Sequence, residues 1–93
     1  MMNTTRNAKV YVEVDVRFQT DGRMRPTALV WEDGRKYQID RLIDVRPSYA
    51  ARAGGQGDRY TVMVDGHEKQ LFFEHSADSY DKNVGRWFVE RKG

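Results

Sequence analysis

The sequence predicts an all-β domain: a small antiparallel meander of five to six strands, closed as an SH3-like or OB-like barrel. Three observations carry that prediction. One stretch alternates apolar and polar residues with a strict period of two, which is the period of a half-buried strand. Three Asp-Gly pairs separate apolar runs, and Asp-Gly is a hairpin signal because its residues tolerate positive φ. Both ends of the chain carry strand patterns, and closure into a barrel is an economical way to hide sheet edges.

The first strand is the plainest. Val10, Val12, Val14, Val16 and Phe18 alternate with Tyr11, Glu13, Asp15 and Arg17. A helix would scatter these valines around its circumference. Asp21-Gly22 then turns the chain into TALVWE (Thr27–Glu32), and Asp33-Gly34 turns it again into RKYQIDRLIDV (Arg35–Val45). In that run the apolar phase passes through Tyr37 and Ile39 and then shifts at Leu42, Ile43 and Val45. A bulge or sharp bend near Arg41–Leu42 explains the shift, and a helical turn there is the competing reading. After a glycine-rich loop, RYTVMV (Arg59–Val64) and EKQLFFE (Glu68–Glu74) flank Asp65-Gly66, and RWFVER (Arg86–Arg91) closes the meander.

The 93 residues read as one domain, with residues 1–8 expected as a flexible N-terminal tail. Lys and Arg number 16 against 14 Asp and Glu, a net charge of +2, which does not by itself imply nucleic acid. Eleven of those cations are arginines, whose planar donor forks suit phosphate and carboxylate. There is no cysteine, which excludes disulfides, thiolate metal sites and cysteine nucleophiles. The N-terminal stretch MMNTTRNAK has no apolar core of a signal peptide, and no run approaches a membrane span, so a cytoplasmic protein without membrane association is expected.

Catalytic equipment is sparse. His67 follows a turn and His75 ends the next strand, so they fall at opposite ends of it and do not converge on a metal or a proton. Ser48, Ser76 and Ser79 lack a nucleophile-elbow context. The carboxylate pairs Glu32/Asp33 and Asp40/Asp44 fit solvated strand faces and turns better than a cleft that shifts pKa values. No catalytic residue, metal or cofactor is therefore expected.

The loop Pro47–Gly57 (PSYAARAGGQG) is the one chemically suggestive segment. Its glycines would let backbone N–H groups approach a phosphate, but Gly57-Asp58-Arg59 stands where a nucleotide-binding loop requires Gly-Lys-Ser/Thr. A plain connection across one end of the barrel is the structural reading. The functional reading is a basic lip, with Arg46, Arg52 and Arg59 in or beside it and Arg35 and Lys36 as further cations for a phosphate backbone. Bulky residues in Leu71-Phe72-Phe73 and Trp87-Phe88-Val89 fall on both faces of their strands, so one face needs a cover. Core filling, a dimer interface or stacked bases would supply it. Tyr49, Trp87 and Phe88 are the candidates for such an interaction surface. Glu13 and Asp15 argue against phosphate on the first strand.

The order of Val30-Trp31-Glu32-Asp33-Gly34-Arg35-Lys36-Tyr37-Gln38-Ile39, Leu42-Ile43-Asp44-Val45, Arg59-Tyr60-Thr61-Val62, Leu71-Phe72-Phe73-Glu74 and Arg86-Trp87-Phe88-Val89 resembles an uncharacterised family of small bacterial β-rich domains, over residues 27–91. Turn glycines and core aromatics carry the resemblance, so it implies a fold and no activity. The expected function is that of a non-catalytic interaction module with nucleic acid as the leading partner. A protein-binding or self-associating domain, meeting another chain by a strand edge or by the Trp87-Phe88 surface, is the alternative.

Overall fold

The computed structural model describes residues 7–48, 57–76 and 83–92. They form seven strands: β1 (Asn7–Phe18), β2 (Met24–Val30), β3 (Lys36–Gln38), β4 (Arg41–Ser48), β5 (Gly57–Val64), β6 (His67–His75) and β7 (Gly85–Lys92). All pairings are antiparallel, in the order β3-β2-β1-β7-β6-β5-β4, and the sheet curls into a half-barrel. The all-β expectation holds. The strand count is seven rather than five or six, because the run Arg35–Val45 is two strands. Asn7 and Ala8, expected in a tail, already pair with Lys92 and Arg91; residues 1–6 of that tail lie outside the described residues.

Each Asp-Gly pair makes a hairpin, but by two different turns. Asp65 and Gly66 both have positive φ (53° and 78°), the primed two-residue turn expected from the sequence. The other two are three-residue loops. Gly22 donates to the Gln19 carbonyl (2.9 Å) and Gly34 to that of Trp31 (2.9 Å), with the glycine at positive φ. In both, the preceding aspartate accepts from the next backbone N–H, Arg23 or Arg35, at 2.9 Å. The local chemistry is the same, and one extra residue selects the bulged form.

The phase shift in Arg35–Val45 has two causes. At Ile39–Asp40 the chain leaves one edge of the sheet and joins the other: Ile39 donates to the Thr27 carbonyl of β2 (2.9 Å), and Asp40 donates to the Met63 carbonyl of β5 (2.8 Å). Asp40 Oδ2 also accepts from the Asp65 amide (3.0 Å), fastening the corner to the β5–β6 turn. The second cause is a bulge between Leu42 and Asp44, which leaves Ile43 without a ladder partner. The sequence reading placed a bulge within two residues of this.

Alternation along the strands sends Leu29, Tyr60, Val62, Val64, Leu71, Phe73 and Trp87 into one core, with Val12, Val14 and Val16 of β1 packed against it. Tyr60 and Phe73 tilt onto Trp87 with ring centroids 4.9 and 5.0 Å away. Full burial of each such side chain stabilises the fold by about 1.5–3 kcal/mol. β1 is long enough to serve two parts of the sheet: Asn7–Val12 pair with β7, and Glu13–Phe18 pair with β2. The β6–β7 ladder spans only Phe72–His75 and Gly85–Phe88. Beyond it the strands part, which leaves the half-barrel open on that side. Both sheet edges are poor templates for another strand, since β3 has three residues and β4 carries a bulge and Pro47.

Candidate interaction face

Cross-strand register assembles the site. Arg46 of β4 lies opposite Arg59 of β5, Arg59 opposite Phe72 of β6, Phe72 opposite Phe88 of β7, and Phe88 opposite Tyr11 of β1. Directly opposed residues share a face, so these five side chains form one row across the outer, convex side of the sheet. Phe72 and Phe88 stack at 5.1 Å with 9° between their planes, and Tyr11 meets Phe88 edge-on at 5.9 Å. Lys9 Nζ stands 4.8 Å above the Phe88 ring, and the Arg86 guanidinium lies 4.0 Å over Tyr11.

Glu74 ties the aromatic end together. It accepts from Lys9 Nζ (2.8 Å), from the Tyr11 hydroxyl (3.2 Å) and from Arg86 (3.4 Å). These donors, with Lys9 foremost, hold its carboxyl below the ordinary glutamate value of 4.5 against the opposing effect of burial. The far end of the row differs. The outer face of β4–β5 carries Arg41, Arg46 and Arg59 against one carboxylate, Asp44, an excess of 3 − 1 = +2. Arg46 reaches Asp44 at 3.3 Å. Arg59 has no ion pair among the described residues, and its Nε is buried without an acceptor. Glu13 and Glu90 add negative charge near the β1–β7 end, so the cationic excess sits on β4–β5.

The residues named from sequence scatter. Arg46 and Arg59 come together as opposed partners. Arg35 and Lys36 lie apart from them at the β2–β3 turn and are engaged, Arg35 with Asp33 (3.9 Å) and Lys36 with Asp15 (2.7 Å). The Asp15 hydrogen bond raises the Lys36 pKa. Trp87 and Phe88 do not form an exposed surface, being 7% and 1% exposed. Trp87 points into the core, and Phe88, although on the outer side, is packed against Phe72, Tyr11 and Lys9. Tyr49 and Arg52 lie outside the described residues. The sequence reading missed Lys9, Glu74 and Arg86 as one cluster, because their proximity depends on register between β1, β6 and β7.

The two histidines stay apart. His75 Nε2 lies 3.2 Å from Asp58 Oδ2, whereas His67 begins the same strand at its other end. Among the described residues there is no group of three or more His, Cys, Asp or Glu that could hold a metal ion, and no helix is long and apolar enough to cross a membrane. Two clefts open at the half-barrel. One, about 610 Å³, lies where β6 leaves β7 and is lined by Trp31, Tyr37, Val89 and Lys69. The other, about 620 Å³, lies between the β1–β2 turn and β4–β5. Compared with known proteins, the chain matches no family model, and no curated protein and no solved structure matches it.

Proposed function

We propose that the chain is a non-catalytic interaction module, a small barrel of the SH3-like or OB-like kind, that binds single-stranded nucleic acid across its outer face. The observation that carries this reading is the direct opposition of Arg46 and Arg59. Like charges placed opposite one another in a ladder are destabilising, so a sheet that keeps such a pair gains something else from it. An anionic ligand supplies that gain, because phosphates neutralise both guanidinium groups. Arg41 extends the cationic strip along the same two strands. Residues 49–56, which include Tyr49 and Arg52, connect those strands and begin beside the pair. The half-exposed Tyr11, capped by Arg86, offers a ring on the same face for a base to stack on.

The test is a fluorescence-anisotropy titration with short labelled single strands at about 50 and about 200 mM salt, with a duplex as control. Two neutralised phosphates predict a fall in affinity of roughly sevenfold between these salts, from a slope of about −0.7 per phosphate on single strands. The double variant Arg46→Ala/Arg59→Ala is expected to flatten that slope while melting no lower than the parent, since it removes a repulsion. Absence of binding at tens of micromolar protein in the lower salt would sink the proposal.

A further inference from the structure

The second cleft has a different character. Three of the exposed large apolar side chains converge on it: Phe18 (65% exposed), Val84 (68%) and Val45 (43%). They come from three separate places in the chain, the end of β1, the approach to β7 and the edge strand β4. Leu42 and Met24, both half-buried, continue the same apolar lining inward. Scattered exposed apolar residues are ordinary, but convergence on one concavity of several hundred Å³ marks a recognition site.

The charges around the cleft say what fits it. Arg23 and Arg25 line it, and Arg25 stands directly opposite Arg17 across the β1–β2 ladder. Neither Arg17 nor Arg25 has an ion pair among the described residues, and Arg23 has only a loose one, 3.8 Å to Asp21 with both side chains largely exposed. The carboxylate lining the cleft, Asp58, is occupied by His75. An apolar hollow with an unneutralised arginine lip is complementary to apolar side chains carried beside carboxylates. We propose that this cleft docks a short segment of a partner protein in which large apolar residues are flanked by Asp or Glu. A membrane surface is less well matched, because the apolar groups line a concavity instead of forming a protruding tip. This site lies apart from the Arg46/Arg59 strip, and its test is independent of the nucleic-acid reading.

The experiment is selection of displayed random peptides of roughly twelve residues on the immobilised full chain, followed by titration of the enriched peptides. The expected result is enrichment of sequences with two large apolar residues close together and acidic neighbours. Their affinity is expected to fall about tenfold with Phe18→Ser and also with Val84→Ser. Arg17→Glu/Arg25→Glu is expected to weaken them about as much, and Arg46→Ala/Arg59→Ala to leave them unchanged. Phe18 and Val84 are exposed, so melting curves of their variants should overlay the parent. If one of them nonetheless unfolds, the other decides. The proposal is overturned if no peptide is enriched, if the enriched peptides lack acidic residues, or if neither apolar substitution weakens them. It is also overturned if vesicles containing phosphatidylserine bind the protein through Phe18 while no acidic peptide does.

Discussion

Replacing Glu74 with glutamine isolates the clamp on the outer face. The substitution keeps shape and one acceptor oxygen but removes the charge that Lys9, Tyr11 and Arg86 converge on. Lys9 and Glu74 have side chains only 22% and 17% exposed, so their bond is worth more than a surface ion pair, which typically contributes about 0–1 kcal/mol. A hydrogen bond between charged, partly buried groups contributes about 1.5–3 kcal/mol. The Arg86 contact adds little, since that side chain is 57% exposed. Glu74→Gln is therefore expected to cost about 2 kcal/mol, or about 8–16 °C in a domain of this size. The pH dependence provides a second check. Because Glu74 titrates below its ordinary value of 4.5, its contribution is fully present above that pH and is lost as pH falls through the lowered value. The melting-temperature gap between parent and variant should thus be widest near neutrality and close in acid. A gap below about 2 °C at neutral pH, or one that stays constant into acid, would refute the clamp as described.

Two further substitutions test how the barrel is closed. A methyl group at Gly85, where φ is 154°, would sit 2.3 Å from the Glu74 carbonyl oxygen and 2.6 Å from the Phe73 ring. Gly85→Ala is expected to cost roughly 3 kcal/mol, read as a lowered urea midpoint, and a loss under about 1 kcal/mol would contradict that packing. Asp40→Ala removes the acceptor of the Asp65 amide and is expected to cost about 1 kcal/mol with faster hydrogen exchange at Asp65; unchanged exchange would remove Asp40 from the corner.

The sequence carries most of the fold where the physics is local. Alternation in β1 needs no partner to be read, and Asp-Gly positions its hairpins because two residues decide the backbone. The split at Ile39–Asp40 was not readable, since a chain that changes sheet edges continues in extended conformation and differs only in which strands receive its hydrogen bonds. The bulge was readable as a shift in apolar phase. The site was legible in part. Arg46 and Arg59 flank a loop, and a hairpin brings loop stems together, so their meeting is a local consequence. The neutralisation of Lys36 by Asp15 spans a hairpin and a turn and cannot be seen in composition. Phe88 shows the same limit: the pattern places it on the outer face, but only the neighbouring strands show that Phe72, Tyr11 and Lys9 pack against it there.

The distribution of charge gives the functional reading its strongest support. Seven lysines and arginines among the described residues lie within 4.0 Å of a carboxylate: Lys9, Arg23, Arg35, Lys36, Arg46, Arg86 and Arg91. Arg17, Arg25, Arg41, Arg59 and Lys69 do not. Four of those five fall at two places, the β4–β5 strip and the lip of the second cleft, and at both an arginine directly opposes another. Each such opposition costs a few tenths of a kcal/mol to about 1 kcal/mol. Chance placement of exposed cations on a solvated sheet gives no reason for the unneutralised ones to gather beside a loop stem and an apolar hollow. A requirement to receive negative charge from outside, at two separate surfaces, does.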